Sequence, residues 1–478
     1  MRTELAIVGA GPAGMAAAEA AVDHGVEVTL IDEQMRPGGQ FLRQPPAEFN
    51  VSGWLGAAVY RDGKQLLERV SGDRRPAWML QSSVAGIFRN GEEGQGRFTL
   101  LVERDGTTRQ LKAESVLIAA GCFDLPVVFP GWNLPGVMAA GGIQAFVKSQ
   151  AFVPGQRFLF AGSHPLQLVV ADQILQAGGS VAGVLFLQSR RRALELLRHP
   201  SVVLRNADKL AQTAGILGRL RKAGVPVRFR QTVLAANGED CLQSVTTVPV
   251  GADGRIDRTA AADIECDRLG VCFGFLSSSE LARQAGVKCR WEPSRGGFIA
   301  EHDDSMASSV AGIYVAGETT GVAGSDVAAL EGRIAGLGAA AELGRIDPGQ
   351  VGRLMHGPRR QLRARERFAR LLAALSWPGP ALFDQLMADS ATLCKCEGVK
   401  VGTLRHQLEE NPGMTTASSV KLLSRVGMGL CQGRYCHFAL SRLMAGHLGM
   451  SEDHVGGFTA RFPAKPLAID SLIDQDVS

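Results

Sequence analysis

The sequence predicts an α/β protein with two nucleotide-binding units, followed by a small cysteine-bearing domain. Two strand–turn–helix–strand patterns carry the first part of this prediction, one at residues 4–32 and one at residues 157–186. Four clustered cysteines near the C-terminus carry the second part. With 478 residues, of which 45% are hydrophobic, the chain can form about three domains.

The first unit contains a glycine-rich turn between a strand and a helix. Gly9, Gly11 and Gly14 give the spacing G-x-G-x-x-G, with Pro12 and Ala13 completing the turn. The first glycine permits the tight turn, the second lets the backbone approach a pyrophosphate, and the third lets the helix pack closely on the strand. Because the helix N-terminus then faces phosphate charge, we expect a bound dinucleotide here.

Two acidic residues follow the second strand of this unit. Asp32 stands where an acid is expected to bind ribose hydroxyl groups, and Glu33 lies beside it. We therefore predict Asp32 as the ribose ligand, with Glu33 as its neighbour in the site. The motif alone does not distinguish FAD from NAD.

Three further segments resemble the two-dinucleotide-domain flavoproteins of the glutathione-reductase type. They are "GGQ" at 38–40, "LIAAG" at 117–121 and "GIYVAGE" at 312–318. The resemblance implies that Gly39 and Gln40 pass the FAD pyrophosphate, that Gly121 ends a strand of the FAD domain, and that Gly317 and Glu318 approach the ribityl chain. Glu318 occupies a position that usually holds Asp. No C-x4-C or C-x2-C dithiol accompanies these segments, so the nucleophile pair of a disulfide reductase is missing.

The second unit has lost most of its nucleotide motif. Where G-x-G-x-x-G would continue, the sequence has Gly162, His164 and Gln167. The side chain at 164 obstructs close approach to a pyrophosphate, and Gln167 crowds the helix against the strand. Leu185 and Phe186 stand where a ribose-binding acid is expected. We therefore expect a structural domain, with an adenine nucleotide as its alternative occupant and a catalytic role for His164 as a further hypothesis.

The order of these segments predicts a discontinuous FAD domain with the second unit inserted into it. The predicted limits are 1–130 for the first part of the FAD domain, 131–265 for the central degenerate domain, 266–345 for the second part of the FAD domain, 346–392 for a helical linker, and 393–478 for the cysteine domain and tail.

Four cysteines form two close pairs in the C-terminal part. Cys394 and Cys396 are spaced C-x-C, and Cys431 and Cys436 are spaced C-x4-C. Two such pairs can supply four thiolates to an iron–sulfur cluster, and glycines in "GMGLCQGRYC" let backbone N–H groups approach its sulfur atoms. A closed tetrahedral zinc site is the alternative, although C-x-C is less typical of zinc than C-x2-C.

The C-terminal part resembles the bacterioferritin-associated-ferredoxin-like 2Fe-2S domain, a small helical fold. The four cysteines match the ligand positions of that family one for one. In the family, the second pair is more often spaced C-x2-C. The resemblance implies a 2Fe-2S cluster as the second cofactor.

The whole chain resembles the large FAD and 2Fe-2S subunit of bacterial dye-linked dehydrogenases, the family of opine oxidase, hydroxyproline and proline dehydrogenases and hydrogen cyanide synthase. The match includes "GGQFLRQP", "LPVVFPGWNLPGVMAAGG", the altered second site, "GMGLCQGRYC" and the proline-punctuated tail. The resemblance implies that a smaller flavoprotein subunit oxidises the C–N bond of an amino-acid-derived amine. The present chain would then relay electrons, often with a small ferredoxin-like third subunit.

Two functions of other classes fit the same motifs. One is a stand-alone NAD(P)H-dependent ferredoxin-type reductase, which uses the same two cofactors. The other is a non-catalytic scaffold subunit that binds a nucleotide structurally and docks a partner oxidase.

Charge and hydropathy exclude several other classes. A net charge of +4, from 51 Lys and Arg against 47 Asp and Glu, predicts no nucleic-acid partner. The basic run "RRQLRARERFAR" at 359–370 indicates a solvated helix face or a docking patch for an acidic partner. No apolar run reaches the length of a membrane span. Because the chain begins directly with an apolar strand and without the pattern of a secretory signal, we expect a cytoplasmic protein.

Overall fold

The computed structural model describes residues 1–43, 45, 55, 61–71, 76–91 and 96–472. Residue 44 of the "GGQFLRQP" segment and residues 473–478 of the tail lie outside them. The N-terminal segment contains β1 (Arg2–Val8), α1 (Pro12–Val22), β2 (Val28–Ile31), α2 (Arg61–Val70), β3 (Ala77–Met79), β4 (Ser83–Arg89), β5 (Phe98–Arg104), β6 (Thr107–Ile118) and β7 (Cys122–Asp124).

The remaining elements follow in three groups. The central segment contains β8 (Val137–Ala139), α3 (Ala140–Gln150), β9 (Arg157–Gly162), α4 (Leu166–Gln176), β10 (Ser180–Phe186), α5 (Pro200–Arg205), α6 (Ala207–Lys222), β11 (Val227–Phe229), β12 (Gln231–Asn237), β13 (Ser244–Pro249), β14 (Ala262–Glu265) and β15 (Arg268–Cys272). The third segment contains β16 (Phe275–Ser277), α7 (Glu280–Gln284), β17 (Cys289–Glu292), β18 (Gly297–Ala300), β19 (Ile313–Val315) and α8 (Ser325–Glu342). The C-terminal segment contains α9 (Pro348–Ser376), α10 (Pro380–Leu386), β20 (Thr392–Cys394), β21 (Val399–Lys400), α11 (Val401–Glu410), α12 (Ala417–Ser424), α13 (His437–Leu448) and α14 (Glu452–Val455).

A seven-stranded sheet forms the first unit. Strands β3, β2, β1, β6 and β19 run parallel, and β6, β5 and β4 continue as an antiparallel meander. The helices α1 and α8 pack closely because their facing residues are small: a Cβ added at Gly332 would lie 2.0 Å from the Ala13 carbonyl oxygen. Strand β19 therefore returns to the first sheet after the whole central segment, and α8 lies beside α1.

A five-stranded parallel sheet forms the second unit, in the order β11, β10, β9, β15 and β8. Its strands are buried on both faces, as in Phe158, Phe160 and Leu185. A separate antiparallel sheet of β12, β13 and β14 covers one side. The chain passes between the two units through β7 and β16, which pair with each other in antiparallel register.

The long helix α9 connects the second part of the first unit to the C-terminal segment. The Asp347 side chain caps its start by accepting a hydrogen bond of 2.8 Å from the Gly349 backbone N–H. The helix packs on α8 and buries Met355, Leu362 and Ala369, which share one face.

The C-terminal helices pack on both α/β units. Phe438 and Leu393 belong to the same buried core as Phe129 of the central segment. The Trp132 indole N–H donates to the Thr392 carbonyl oxygen over 2.5 Å. This region is therefore built into the rest of the molecule by a shared core.

The tail runs back across the first sheet. The Ala464 backbone N–H donates to the Ala85 carbonyl oxygen over 2.7 Å, and Lys465 pairs with Glu33. Phe462 meets Phe88 edge to face, with 5.4 Å between ring centroids. The structure thus contains two α/β units and a helical C-terminal region, as predicted, whereas the exact domain limits stay a prediction. In the part of the chain that the structure describes, no helix is long and apolar enough to cross a membrane.

Candidate functional site

The glycine turn after β1 is a place where two side chains are sterically forbidden. Gly9 has a φ of +105°, and a Cβ there would lie 2.2 Å from the Ala119 carbonyl oxygen. A Cβ at Gly14 would lie 1.8 Å from the Gly9 carbonyl oxygen. The turn, the start of α1 and the end of β6 are therefore in direct backbone contact.

A second glycine loop lies against the start of α1. A Cβ added at Gly39 would stand 2.8 Å from the Gly11 Cα, and the Gly38 N–H donates to the Ala10 carbonyl oxygen over 2.8 Å. Helix α1 begins at Pro12 with no side-chain cap. Among the described residues, no side chain accepts from the N–H groups of its first turn, which include that of Ala13, and these groups suit an anion.

The two predicted acids have different contacts. Asp32 accepts a hydrogen bond of 2.6 Å from the Ala10 N–H and one of 2.8 Å from the Gln34 N–H, and burial raises the pKa of its carboxyl group. Glu33 accepts from the Ser83 hydroxyl over 3.0 Å and pairs with Lys465 of the tail. Asp32 thus supports the glycine turn, whereas Glu33 faces the tail.

The loop after β2 and the end of β6 meet at Gln40. Its side-chain amide donates to the Cys122 carbonyl oxygen over 2.7 Å. Gly121, which precedes this cysteine, has a φ of +74° and open space at its Cβ position. The structure therefore brings Gln40 and Gly121 to the same side of the first unit.

The segment after β19 completes this side of the unit. Gly317 lies against α1, since its Cβ would stand 2.9 Å from the Ala13 Cβ. The Glu318 carboxylate accepts from the Cys122 thiol over 2.5 Å. Burial raises the pKa of both groups, so the thiol is held as the protonated donor. Cys122 is thus a packed thiol with a specific partner.

Glu331 is a site residue that sequence analysis missed. Its Oε2 accepts from the Gly317 N–H over 2.7 Å and from the Thr320 hydroxyl over 2.8 Å, while its Oε1 is buried with no partner among the described residues. Burial raises the pKa of this carboxyl group to about 8. The Thr319 hydroxyl is likewise buried without a described partner. A charged residue amid the alanines and glycines of "VAALEGRIAG" was the available signal.

Asp124 is the second residue that was missed. It is the last residue of β7, and its side chain points to the N-terminus of α3, where it accepts a hydrogen bond from the Gly141 N–H over 3.1 Å. Burial raises the pKa of its carboxyl group to about 6, and the positive charge of Arg43 acts in the opposite direction. The position two residues after Cys122, at the passage between the units, was the only signal.

These features fit a dinucleotide. The Gly11–Gly39 contact leaves a surface of bare backbone beside the helix N-terminus, and a Cβ at Gly39 would clash with this backbone. Polar atoms of Thr319 and Glu331 that have no partner among the described residues lie in and beside the segment at Gly317, which approaches Ala13 of α1. FAD is therefore compatible with the residues present.

Backbone and side chains fill the altered turn of the second unit. A Cβ at Gly162 would lie 2.0 Å from the Cys272 carbonyl oxygen. The His164 ring packs edge to face on Phe275 at 5.0 Å, and burial lowers its pKa to about 4, so the ring is neutral and enclosed. Gln167 is fully buried, and neither polar atom of its side chain has a partner among the described residues.

The four clustered cysteines form two side-chain pairs. The Cys436 thiol donates to the Cys394 sulfur, which lowers the pKa of Cys394 to about 5 and raises that of Cys436. Cys396 pairs in the same way with Cys431. All four sulfur atoms are close enough for the charges of the other three to raise the pKa of Cys436.

Backbone N–H groups surround this cluster of sulfur atoms. The Cys394 sulfur accepts from the N–H groups of Cys396, Glu397 and Gly427. A Cβ at Gly429 would lie 2.2 Å from the Cys396 Cβ, so glycine allows the two segments to meet. Four thiols that lie close together, with amides aimed at a sulfur, fit an iron–sulfur cluster. Within residues 1–43, 45, 55, 61–71, 76–91 and 96–472, no three metal-ligating side chains converge on a single ion position.

Comparison with known proteins identifies the family. Residues 3–342 match the model for pyridine nucleotide-disulphide oxidoreductases. The chain belongs to this family. It is 32% identical to hydrogen cyanide synthase subunit HcnB of Pseudomonas aeruginosa, over 98% of this chain and 97% of that one. It is 30% identical to one of the subunits of opine oxidase from Rhizobium meliloti, over 98% of both.

These relatives confirm the predicted resemblance. Together with the family match, they show that the chain is an oxidoreductase. The solved structure of L-proline dehydrogenase from P. horikoshii has a TM-score of 0.69 and 19% identity, over 99% of this chain and 80% of that one. Its similarity shows the fold, and the predicted α/β fold with two dinucleotide-binding units is confirmed. The ferredoxin-like nature of the C-terminal domain stays a prediction.

Proposed function

We propose that the chain is the FAD and 2Fe-2S electron-transfer subunit of a heteromeric dye-linked dehydrogenase or oxidase. The complex would oxidise the C–N bond of a secondary amine derived from an amino acid, of the opine, hydroxyproline or proline type. The observation that carries this proposal is the presence of a dinucleotide cradle and two cysteine pairs in one chain. The names of its relatives, subunits of opine oxidase and of hydrogen cyanide synthase, supply the reaction class.

The first unit would hold FAD through backbone and carboxyl groups. Gly11 and Gly39 would approach the pyrophosphate at the start of α1, and Asp32, which already orders the turn, would meet the ribose. Glu318 would accept hydrogen bonds from the ribityl hydroxyl groups, either in place of the bond from the Cys122 thiol or in addition to it. A bound flavin converts two-electron chemistry into single-electron steps.

The cysteine pairs would hold the cluster. A 2Fe-2S cluster has two iron atoms with two cysteine ligands each, and the pairs Cys394–Cys436 and Cys396–Cys431 supply that number of ligands. Zinc in the same site is the competing hypothesis, since four cysteines also satisfy one zinc ion. Only the cluster would carry electrons.

Packed protein joins the two sites. The Ser277 hydroxyl donates to the Thr319 carbonyl oxygen over 3.3 Å, beside the proposed flavin site. The same serine lines a cavity of about 200 Å³ that is also lined by Gly433, which lies between the last two cysteines in the sequence. Phe458 fills the space next to that glycine, where a Cβ would lie 2.2 Å from its ring. This contact supports electron exchange within one chain.

The amine would be oxidised elsewhere. We propose that the amine-oxidising partner is a smaller flavoprotein subunit, joined in some complexes by a small ferredoxin-like third subunit. The proposed compartment is the cytoplasm, where thiols stay reduced, and all nine cysteines of the chain are free.

The second unit has its own candidate ligand. Three polar atoms near its altered turn, Oε1 and Nε2 of Gln167 and Oε1 of Gln188, are buried without a described partner. Leaving such groups unpaired is unfavourable, and the polar atoms of a ligand beside this turn would satisfy them. We propose an adenine nucleotide, bound without hydride chemistry, as the occupant.

Anaerobic reduction tests the electron-transfer function. An opine or imino acid substrate should bleach the flavin of this chain only when the smaller subunit is present, and the cluster signal should then appear in electron paramagnetic resonance. Full substrate turnover by this chain alone would contradict the proposal. Rapid bleaching by NADH would favour the stand-alone reductase, and a chain without redox-active cofactor would favour the scaffold.

A further inference from the structure

A strongly basic groove lies on α9, away from both cofactor sites. It has a volume of about 330 Å³ and is lined by Gly352, Ala364, His356 and five arginines, Arg205, Arg359, Arg360, Arg363 and Arg367. None of the described residues that line it is acidic. The groove is formed where α5 meets α9, beside the face that α9 buries.

The positive charge of this groove is poorly compensated inside the molecule. Arg205, Arg360 and Arg367 are exposed and form no ion pair within the described part of the chain. Arg363 reaches only Asp304, over 4.0 Å between two exposed groups, a contact that contributes little. Since the whole chain has a net charge of only +4, these cations are concentrated here rather than spread over the surface. Their mutual repulsion favours an anionic occupant.

The arrangement of the basic side chains favours a polypeptide as the ligand of the groove. His356, Arg360, Arg363 and Arg367 follow each other at intervals of three and four residues, so they form a stripe about 16 Å long on one helix face. In the described part of the chain, the groove has no aromatic side chain that could stack on a nucleotide base. The exposed Leu204 directly precedes Arg205 on α5. Arginine mixed with exposed apolar side chains is typical of protein interfaces.

We propose that this groove docks an acidic segment of the smaller partner subunit. The segment would present Asp and Glu side chains along roughly three helical turns, and its carboxylates would pair with the guanidinium groups of Arg360 and Arg367. This inference rests on the proposed function, because that function supplies the partner. It places the contact between the two chains on α9, which packs on α8 of the flavin unit.

Charge reversal tests the docking surface. The full chain and the co-expressed smaller subunit should form a complex whose Kd rises roughly tenfold or more in R360E/R367E and also rises with salt in the wild type. The matched control R104E/R255E reverses two exposed arginines outside the groove and should leave the Kd unchanged. Flavin content and circular dichroism of each variant show whether it is folded.

Cross-linking identifies the acidic segment. In R360K/R367K, which keeps the charge, a zero-length carbodiimide should join the introduced amines to Asp or Glu of the smaller subunit, whereas R104K/R255K should give no such product. A complex that forms normally in R360E/R367E would overturn the docking proposal and leave the proposed function intact. Absence of any complex in the wild type would overturn both. Tight binding of tripolyphosphate that is lost in R360E/R367E, with the complex unaffected, would assign the groove to a small anion and also overturn the proposal.

Discussion

At the residue scale, the flavin side of the molecule is built on buried carboxyl groups. Asp32, Asp124, Glu318 and Glu331 all have raised pKa values, in each case mainly because of burial. Each accepts a hydrogen bond from a backbone N–H or a thiol. Such groups hold protons at pH values where exposed carboxylates are ionised. They order the turns and helix ends around the proposed flavin.

Glu331→Gln tests this electrostatic environment. Glu331 stays protonated in the folded chain up to a pH of about 8, whereas it ionises near its ordinary value in the unfolded chain. The unfolded state therefore binds fewer protons, and this group lowers stability as pH rises between those values, by at most about 1.4 kcal/mol per pH unit. The amide cannot ionise. The Tm of E331Q relative to wild type should increase from pH 5 to pH 8, and a constant difference would contradict the assignment.

Sequence motifs found some of these residues and missed others. The G-x-G-x-x-G spacing pointed to Asp32 because the motif sets the distance to the acid. Glu331 has no such spacing, since its role depends on the turn at Gly317, which approaches it only after α8 has folded back. Asp124 is likewise defined by a contact with another element, the start of α3. Local patterns do not encode these approaches.

At the element scale, loops and helix starts make the cofactor sites. The loop at Gly38 and Gly39 presses backbone against the start of α1, and the turn around Gly429 does the same against Cys396. In both places glycine replaces a side chain that would keep two segments apart. The flavoprotein resemblance implied that the first loop passes a pyrophosphate, and the glycines of "GMGLCQGRYC" predicted the general environment of the second contact.

Gly39→Ala should remove most of the bound flavin, because the added Cβ would lie 2.8 Å from the Gly11 Cα in the cradle. Gly25→Ala is the matched control. Gly25 also has a positive φ, +77° compared with +58° for Gly39, but the space at its Cβ position is open. Both variants therefore carry backbone strain of about 1 kcal/mol, and only G39A also carries the clash. The ratio of released FAD to protein is the measurement. Equal flavin in the two variants would show that the cradle does not bind it.

Cys431→Ser and Cys436→Ser should each lower iron and acid-labile sulfide to a small fraction of the wild-type content, because a serine oxygen is a poor ligand for this soft site. Cys241→Ser, at an exposed cysteine outside the module, should leave both unchanged. Iron, zinc and sulfide are measured in anaerobically prepared protein. Zinc without sulfide in the wild type would show a structural zinc site instead.

At the scale of the whole molecule, the order of segments was predictable and their contacts were not. The return of "GIYVAGE" to the first unit followed from the sequence, and β19 does pair with β6. The attachment of the C-terminal region did not follow, because Trp132, Trp291 and Phe438 carry it from three distant segments. Aromatic residues in isolation do not show which surface they will cover.

NADH and NADPH should fail to reduce the flavin at a useful rate. Hydride transfer needs a nicotinamide held by a close backbone turn, and His164 and Gln167 fill that turn while Leu185 replaces the acid. Anaerobic stopped-flow mixing with excess NADH, followed at the flavin band, is the measurement. A photoreduced sample provides the reference spectrum, and bleaching within seconds would contradict the prediction.

The late return of β19 and of the tail sets an order of events during synthesis. A ribosome must make Ile313–Val315 before the first sheet gains the strand that leads to Gly317, and α8 must follow before Glu331 can accept from that glycine. Until then, the sheet next to the glycine turn lacks β19, while the central unit is synthesised and folds. We therefore expect flavin to bind late in the folding of the nascent chain, although the G-x-G-x-x-G motif is translated first.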